Sequence, residues 1–231
     1  MSEIALWAPN ATDVRIVVDG VRHAMQPGAG GWFTVEVAVG HGATGGFSRD
    51  GGPLRPDPRA VWLPDGVHSP GRFYDHGGFN WSDSGWSGRS WPDAVVYELH
   101  VGTFTADGTF DAAAQRLGYL RDLGVTHVEL MPVCAFDGVA GWGYDGVAPW
   151  SVHEPYGGPD GLKRFVDAAH SVGLAVLVDV VHNHLGPSGN YLSDFGPYFT
   201  DAVSTPWGDA VNLDGPGSDE VRAYLLGSVQ S

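Results

Sequence analysis

Two short runs of this sequence hold residues able to do chemistry together. The first, VLVDVVHNHLGPSGNY (Val176–Tyr191), carries Asp179 inside an apolar, β-branched stretch, with Asn183 and His184 just beyond. The second, GWGYDG (Gly141–Gly146), holds Trp142, Tyr144 and Asp145 between glycines. A carboxylate in a core strand is costly without a partner. At a strand's carboxyl end, however, it can orient a cationic group, and a neighbouring imidazole can donate to a hydroxyl. Glycines allow close backbone approach, and a tyrosine ring offers a flat apolar face with a polar tip. The set suits a hydroxyl-rich ligand such as a sugar. A capped strand end and an aromatic turn are the plainer alternative, and spacing leaves both open.

Other reactive side chains read differently. Glu98, His100 and Glu129 lie in strand-like runs and are expected to make internal polar contacts. Cys134 is expected to be a small core residue. The HNH triplet, His182–His184, has no cysteine or acidic ligand pattern around it, so no metal site and no cofactor are expected. A formal charge of −15 disfavours nucleic acid and anionic membrane as partners, but is indifferent to a neutral substrate. One cysteine leaves no internal disulfide and fits a reducing compartment. The start MSEIALWAPN reads as no signal peptide, and no window has the length of a membrane span, so the expected location is the cytoplasm.

The elements that must carry these residues fall into two patterns. After Trp91, apolar strands (AVVYELHV, VTHVELMPV, LAVLVDVV) alternate with helical stretches. One stretch, TFDAAAQRLGYLRDLG, places Phe110, Ala114, Leu117, Leu120 and Leu123 on one face and closes at Gly124. The other, GPDGLKRFVDAAHSVG, does the same with Leu162, Phe165, Val166 and Ala169. Such alternation predicts a parallel sheet with right-handed crossovers. The loops after the second and third strands are long and hold both candidate runs, as in a (β/α) barrel. No Gly-x-Gly-x-x-Gly follows the first strand, which disfavours a dinucleotide fold. Before Trp91 the period is two: WFTVEVAVG alternates, and VRIVVDGVRHAM sets Asp19-Gly20 as a hairpin turn. A small β-sandwich is predicted there. Gly51 to Gly88, rich in Pro, Gly, Asp and Trp, is expected to be an ordered connector.

Asp179-x-x-x-Asn183-His184 resembles the first conserved region of the α-amylase superfamily of glycoside hydrolases. The segments VVYELHVGTFTADGTF, GWGYDG, EPYGGPDGLKRFVDAAH, HNHLGPSGNYL, FGPYFT and TPWGDAVNLDGPGSDEVR are similar to the malto-oligosyltrehalose trehalohydrolase family within it. The resemblance implies an immunoglobulin-like sandwich with its connector over residues 1–85, and the first three units of a (β/α)8 TIM barrel over 86–231. It implies a retaining hydrolase that cleaves the α-1,4 bond beside the trehalose unit of a maltooligosyl trehalose. Its Asp nucleophile and Glu acid, about 5–5.5 Å apart, would follow the fourth and fifth barrel strands. Both are therefore expected beyond Ser231, and the chain reads as an inactive N-terminal part that needs the rest of the barrel as partner. By the same resemblance, His184 donates to the sugar at the cleavage subsite, Tyr144 stacks under it, and Trp142, Asp145 and Trp207 contact substrate. Asp179 would hold an arginine near the nucleophile, with Asn183 in support.

This sequence departs from the family at His182, at Trp150-Ser151 and in GATGGFSRDGG, where a weakened sandwich strand is expected. A debranching or branching enzyme of isoamylase type, or a non-enzymatic α-glucan-binding module, are the rival readings.

Overall fold

The computed structural model describes residues 2–230. Its N-terminal strands are β1 (Ser2–Trp7), β2 (Val14–Val18), β3 (Val21–Ala24), β4 (Gln26–Pro27), β5 (Trp32–Val37), β6 (Thr44–Arg49), β7 (Arg55–Pro56) and β8 (Gly71–Arg72). One antiparallel sheet runs β1-β5-β4; a second runs β3-β2-β6-β7, with β8 on β6. The hairpin at Asp19-Gly20 is present. Val18 pairs with Val21, and the turn residues have φ of 47° and 81°, as a type I′ turn demands. Strand β6 forms in spite of its adjacent glycines. A Cβ on Gly45 would sit 2.6 Å from the Phe73 ring, so the connector's aromatic fills that space.

Alternation puts Ile4, Leu6, Phe33 and Val37 of one sheet, and Val14, Ile16, Val18 and Phe47 of the other, into one buried core. That core continues into later chain: Leu192, Phe195, Tyr198, Val221 and Tyr224 belong to it. The Tyr224 hydroxyl donates to Pro58 O at 3.0 Å, across 166 positions of sequence.

The second pattern gives β9 (Val96–Leu99), β10 (His127–Leu130) and β11 (Ala175–Val178), a parallel sheet in the order β11-β10-β9. Helices cover one face. They are α1 (Val101–Phe104), α2 (Phe110–Ala114), α3 (Leu117–Asp122) and α4 (Gly158–Ser171). Leu99, Val128 and Leu130 pack there with Phe110, Leu117, Leu120, Phe165 and Ala169.

The single helix expected over TFDAAAQRLGYLRDLG is two. The Arg116 N–H donates to Ala113 O, a tighter step than the helical one, and it turns the later segment about its axis. Leu117 and Leu120 stay buried, but Leu123 is 61% exposed rather than on the apolar face. Helix α3 ends as the sequence predicts, and α4 ends in the same way. Gly124 N–H reaches Arg121 O and Val125 N–H reaches Leu120 O, with the equivalent pair at Gly173 and Leu174 after α4.

After β11 comes a hairpin that the periodicity did not reveal, β12 (Phe199–Thr205) with β13 (Gly208–Val211), and then α5 (Ser218–Ser228). Among the described residues no helix is long and apolar enough to cross a membrane.

Candidate functional site

The site begins where β11 ends. The Asp179 N–H donates to Leu130 O at 2.9 Å, which carries the ladder one residue past Val178. Asp179 is half-buried there, and its carboxylate faces the Tyr144 phenol. Hydrogen bonding toward Asp179, followed by burial and by the charges of Asp179, Glu98 and Glu129, holds that phenol above its ordinary value. The strand carboxylate is thus not solitary: its partner comes from the loop after β10.

Several contacts fix that loop. Gly143 has φ of 89°, and a Cβ there would lie 2.2 Å from Pro132 O. Only glycine permits both the angle and the approach. The Gly141 carbonyl accepts from His100 Nε2 at 2.8 Å and from the Tyr156 hydroxyl at 3.3 Å. On its other ring nitrogen, His100 Nδ1 is 3.1 Å from Thr103 Oγ1. His100 is therefore the internal polar contact expected of it. Glu98 is exposed and Glu129 half-buried; they stand opposite each other on β9 and β10, and both act on Tyr144 through their charge. Burial pushes the Cys134 thiol up to about 11, so it stays protonated as a core residue would.

The loop after β11 locks onto the first: Gly186 N–H donates to Gly146 O at 3.0 Å. It presents His184, whose ring stacks on Trp207 with centroids 5.3 Å apart and planes 28° apart. His184 Nδ1 is 3.2 Å from Asn183 Oδ1, which leaves Nε2 for a ligand. Trp207 sits in the turn between β12 and β13, and its N–H donates to Thr205 Oγ1 at 3.2 Å. Its indole is 64% exposed.

The structure therefore forms two couples from the candidate residues, Tyr144 with Asp179 and His184 with Trp207. Trp142 is 74% exposed, and Asp145 and Asn183 are also on the surface. Exposed rings backed by carboxylates and a half-buried imidazole make a surface suited to a neutral, hydroxylated ligand. Among the described residues no group of His, Cys, Asp and Glu could hold a metal ion.

The departures from the family pattern are packed into the fold. Trp150 Nε1 donates to Tyr224 O at 3.1 Å, the Ser151 hydroxyl to Ala148 O at 2.8 Å, and His182 Nε2 is 3.2 Å from Ser228 Oγ. Sequence reasoning missed a further group. His68 Nδ1 is 2.6 Å from the Tyr191 hydroxyl, and the Ser188 hydroxyl donates to Asp137 at 2.6 Å. Their separations, 123 and 51 positions, leave no local signal to read.

Several known proteins are similar to this chain. The family described as alpha amylase, catalytic domain, matches residues 69–202. A malto-oligosyltrehalose trehalohydrolase of Mycobacterium tuberculosis is 54% identical over 98% of this chain and 40% of its own length. One of a Rhizobium species is 51% identical over 97% of this chain and 39% of its own. A crystal structure from Salmonella typhimurium, named for alpha amylase, superposes with TM-score 0.94 at 43% identity, over 98% of this chain and 38% of that one. The chain thus spans about 40% of the length of the curated relatives it matches. With the match over 69–202 and the site's carboxylate, imidazole and aromatics at strand ends, the chain belongs to the alpha-amylase family.

Proposed function

We propose that the protein carrying this chain hydrolyses the α-1,4 bond beside the trehalose unit of a maltooligosyl trehalose and releases trehalose. The observation that carries this reading is the 54% identity to a trehalohydrolase over 98% of the chain, a span that includes every candidate residue. The site's chemistry supports it: an uncharged sugar chain meets exposed Trp142 and Trp207, the Tyr144–Asp179 pair and His184.

In this reading the three parallel strands are the first units of a (β/α)8 barrel over residues 86–231, preceded by an immunoglobulin-like sandwich with its connector over 1–85. Tyr144 lies under the sugar at the cleavage subsite, His184 donates to its hydroxyls, and Trp142, Asp145 and Trp207 extend the contact. Asp179 and Asn183 support them, Asp179 holding an arginine of a later strand beside the nucleophile. The mechanism is retaining, through an Asp nucleophile and a Glu acid about 5–5.5 Å apart. No carboxylate here matches those two motifs, so these 231 residues bind glucan without cleaving it and work with the rest of the barrel in the cytoplasm.

Chromatography of the products tests the reading. Given maltotriosyl trehalose and, separately, an α-1,6-branched glucan, the whole protein is expected to release trehalose from the first and to leave the branches of the second intact. Debranching without trehalose would assign it to the isoamylase-type group instead.

A further inference from the structure

The two loops that carry the candidate residues share an anchor outside the parallel sheet. His68, in the connector between β7 and β8, reaches both of them. Its Nδ1 is 2.6 Å from the Tyr191 hydroxyl, in the loop after β11. Its Nε2 is 3.4 Å from Asp137 Oδ1, in the loop after β10. The Ser188 hydroxyl closes the circuit, donating to Asp137 Oδ2 at 2.6 Å. One neutral tautomer satisfies the whole set: Nε2–H points to Asp137 while Nδ1 accepts from Tyr191. The Ser188 bond, with His68 second, holds the Asp137 carboxyl below its usual range, so it is an ionised acceptor.

The same stretch of connector grips the loop after β11 elsewhere. Arg55 lies over the Tyr191 ring, its Cζ 4.0 Å from the centroid, and its Nε donates to Asp194 at 2.7 Å. Gly189 has φ of 86°, and a Cβ there would lie 2.3 Å from Val67 Cγ2. Val67 is 3% exposed, and it packs with Leu63 against Ala135 and Val147 of the loop after β10. Asp137 precedes Trp142 and Tyr144 in one loop, and Ser188 and Tyr191 follow His184 in the other. Each polar contact is at the surface, where one such pair contributes little to stability. What the set fixes is distance, and a displacement of about 1 Å at a reacting group can cost about a hundredfold in rate.

We propose that His68 is a positioning residue: from the N-terminal connector it holds the loops after β10 and β11 at the spacing that Tyr144, Asp179 and His184 need in order to act together. The N-terminal part of the chain is thereby a scaffold of the site. The effect on turnover rests on the reading that these two loops hold the reacting sugar.

The test uses the whole protein with His68→Leu, His68→Gln and Ser188→Ala. His68 and Ser188 are exposed, so these changes leave the core untouched. Amide hydrogen exchange is measured without ligand, and kcat and KM on maltotriosyl trehalose. With His68→Leu, exchange in residues 137–146 and 184–191 is expected to quicken about tenfold while β2, β6 and α4 keep their wild-type rates. The kcat is expected to fall about five- to tenfold, with less than about a twofold change in KM. His68→Gln keeps a polar group within reach of Asp137 and is expected to recover most of both effects. Ser188→Ala, which cuts the other tie to Asp137, should give the same pattern in weaker form. Unchanged exchange in both loops with His68→Leu overturns the inference. So does quickened exchange with an unchanged kcat, or a quickening spread evenly over β2, β6 and α4, as a merely structural role would give. If the wild type releases no trehalose, the trehalohydrolase reading falls, and the exchange alone decides whether His68 positions the loops.

Discussion

The phenol of Tyr144 faces the carboxylate of Asp179, which sets the loop after β10 against the end of β11. This neighbour accounts in part for a carboxylate in an apolar strand, since a polar partner offsets some of the cost of desolvation.

Tyr144→Phe keeps the ring and removes the donor. Because the pair is partly exposed, stability should fall by no more than about 1 kcal/mol. Turnover of the whole protein on maltotriosyl trehalose should fall about tenfold as the ring loses its polar partner. Steady-state kinetics beside a denaturant titration separates the two; unchanged kcat and KM would show that the contact is structural only.

His184→Ala is expected to lower kcat more than it raises KM, because a contact beside the reacting sugar strengthens in the transition state. Trp207→Ala should instead act mainly on KM, as loss of a stacking surface does. The indole is 64% exposed, so thermal unfolding should shift by little. A rise in KM alone for His184→Ala would place that residue away from the cleaved bond.

How much of this was legible in the sequence depended on the distance between partners. The Asp19-Gly20 hairpin and the strands β9, β10 and β11 are local patterns, and the sequence predicts them. The helix break at Arg116 was hidden because no proline marks it and Gly118, two residues on, lies inside the second helix; a one-step change of hydrogen bonding moves Leu123 to the surface. The β12–β13 hairpin was hidden too, since SerThrProTrpGly announces a turn but its flanks do not alternate cleanly. Residues joined only by the fold, such as Tyr224 with Pro58 or Ser188 with Asp137, have no local signature at all. Motif reading found Asp179 and His184; the packing supplied their partners.

Tyr224 is 1% exposed and touches Tyr198 with ring centroids 5.1 Å apart, inside the core shared with the two N-terminal sheets. Tyr224→Ala should cost about 3–5 kcal/mol. The loss should reach β2 and β6 as well as α5, so amide hydrogen exchange is expected to quicken in all three. Acceleration confined to α5 would mean that the N-terminal sheets hold together without it.

His153 makes stability depend on pH. Its folded value is lowered from 6.5 to about 4 by burial, so between those values the unfolded chain binds more protons than the folded one. The contribution of the neutral ring is intact above about 6.5 and is lost as pH falls towards 4, on the order of 2–3 kcal/mol. Denaturation of the wild type and of His153→Phe at several pH values should show a shallower acid decline in the variant. Parallel curves would mean that the ring is not held neutral.

The central claim is that the surface made by Tyr144, Asp179, His184 and Trp207 serves the release of trehalose. Proton NMR of the whole protein acting on maltotriosyl trehalose follows it most directly, since free trehalose and the anomer of the new reducing end give separate signals. The expected time course shows trehalose and maltotriose in equal amounts, the maltotriose first as its α-anomer, and a slower course with His184→Ala. Glucan products without trehalose, or a course that His184→Ala leaves unchanged, would contradict the account.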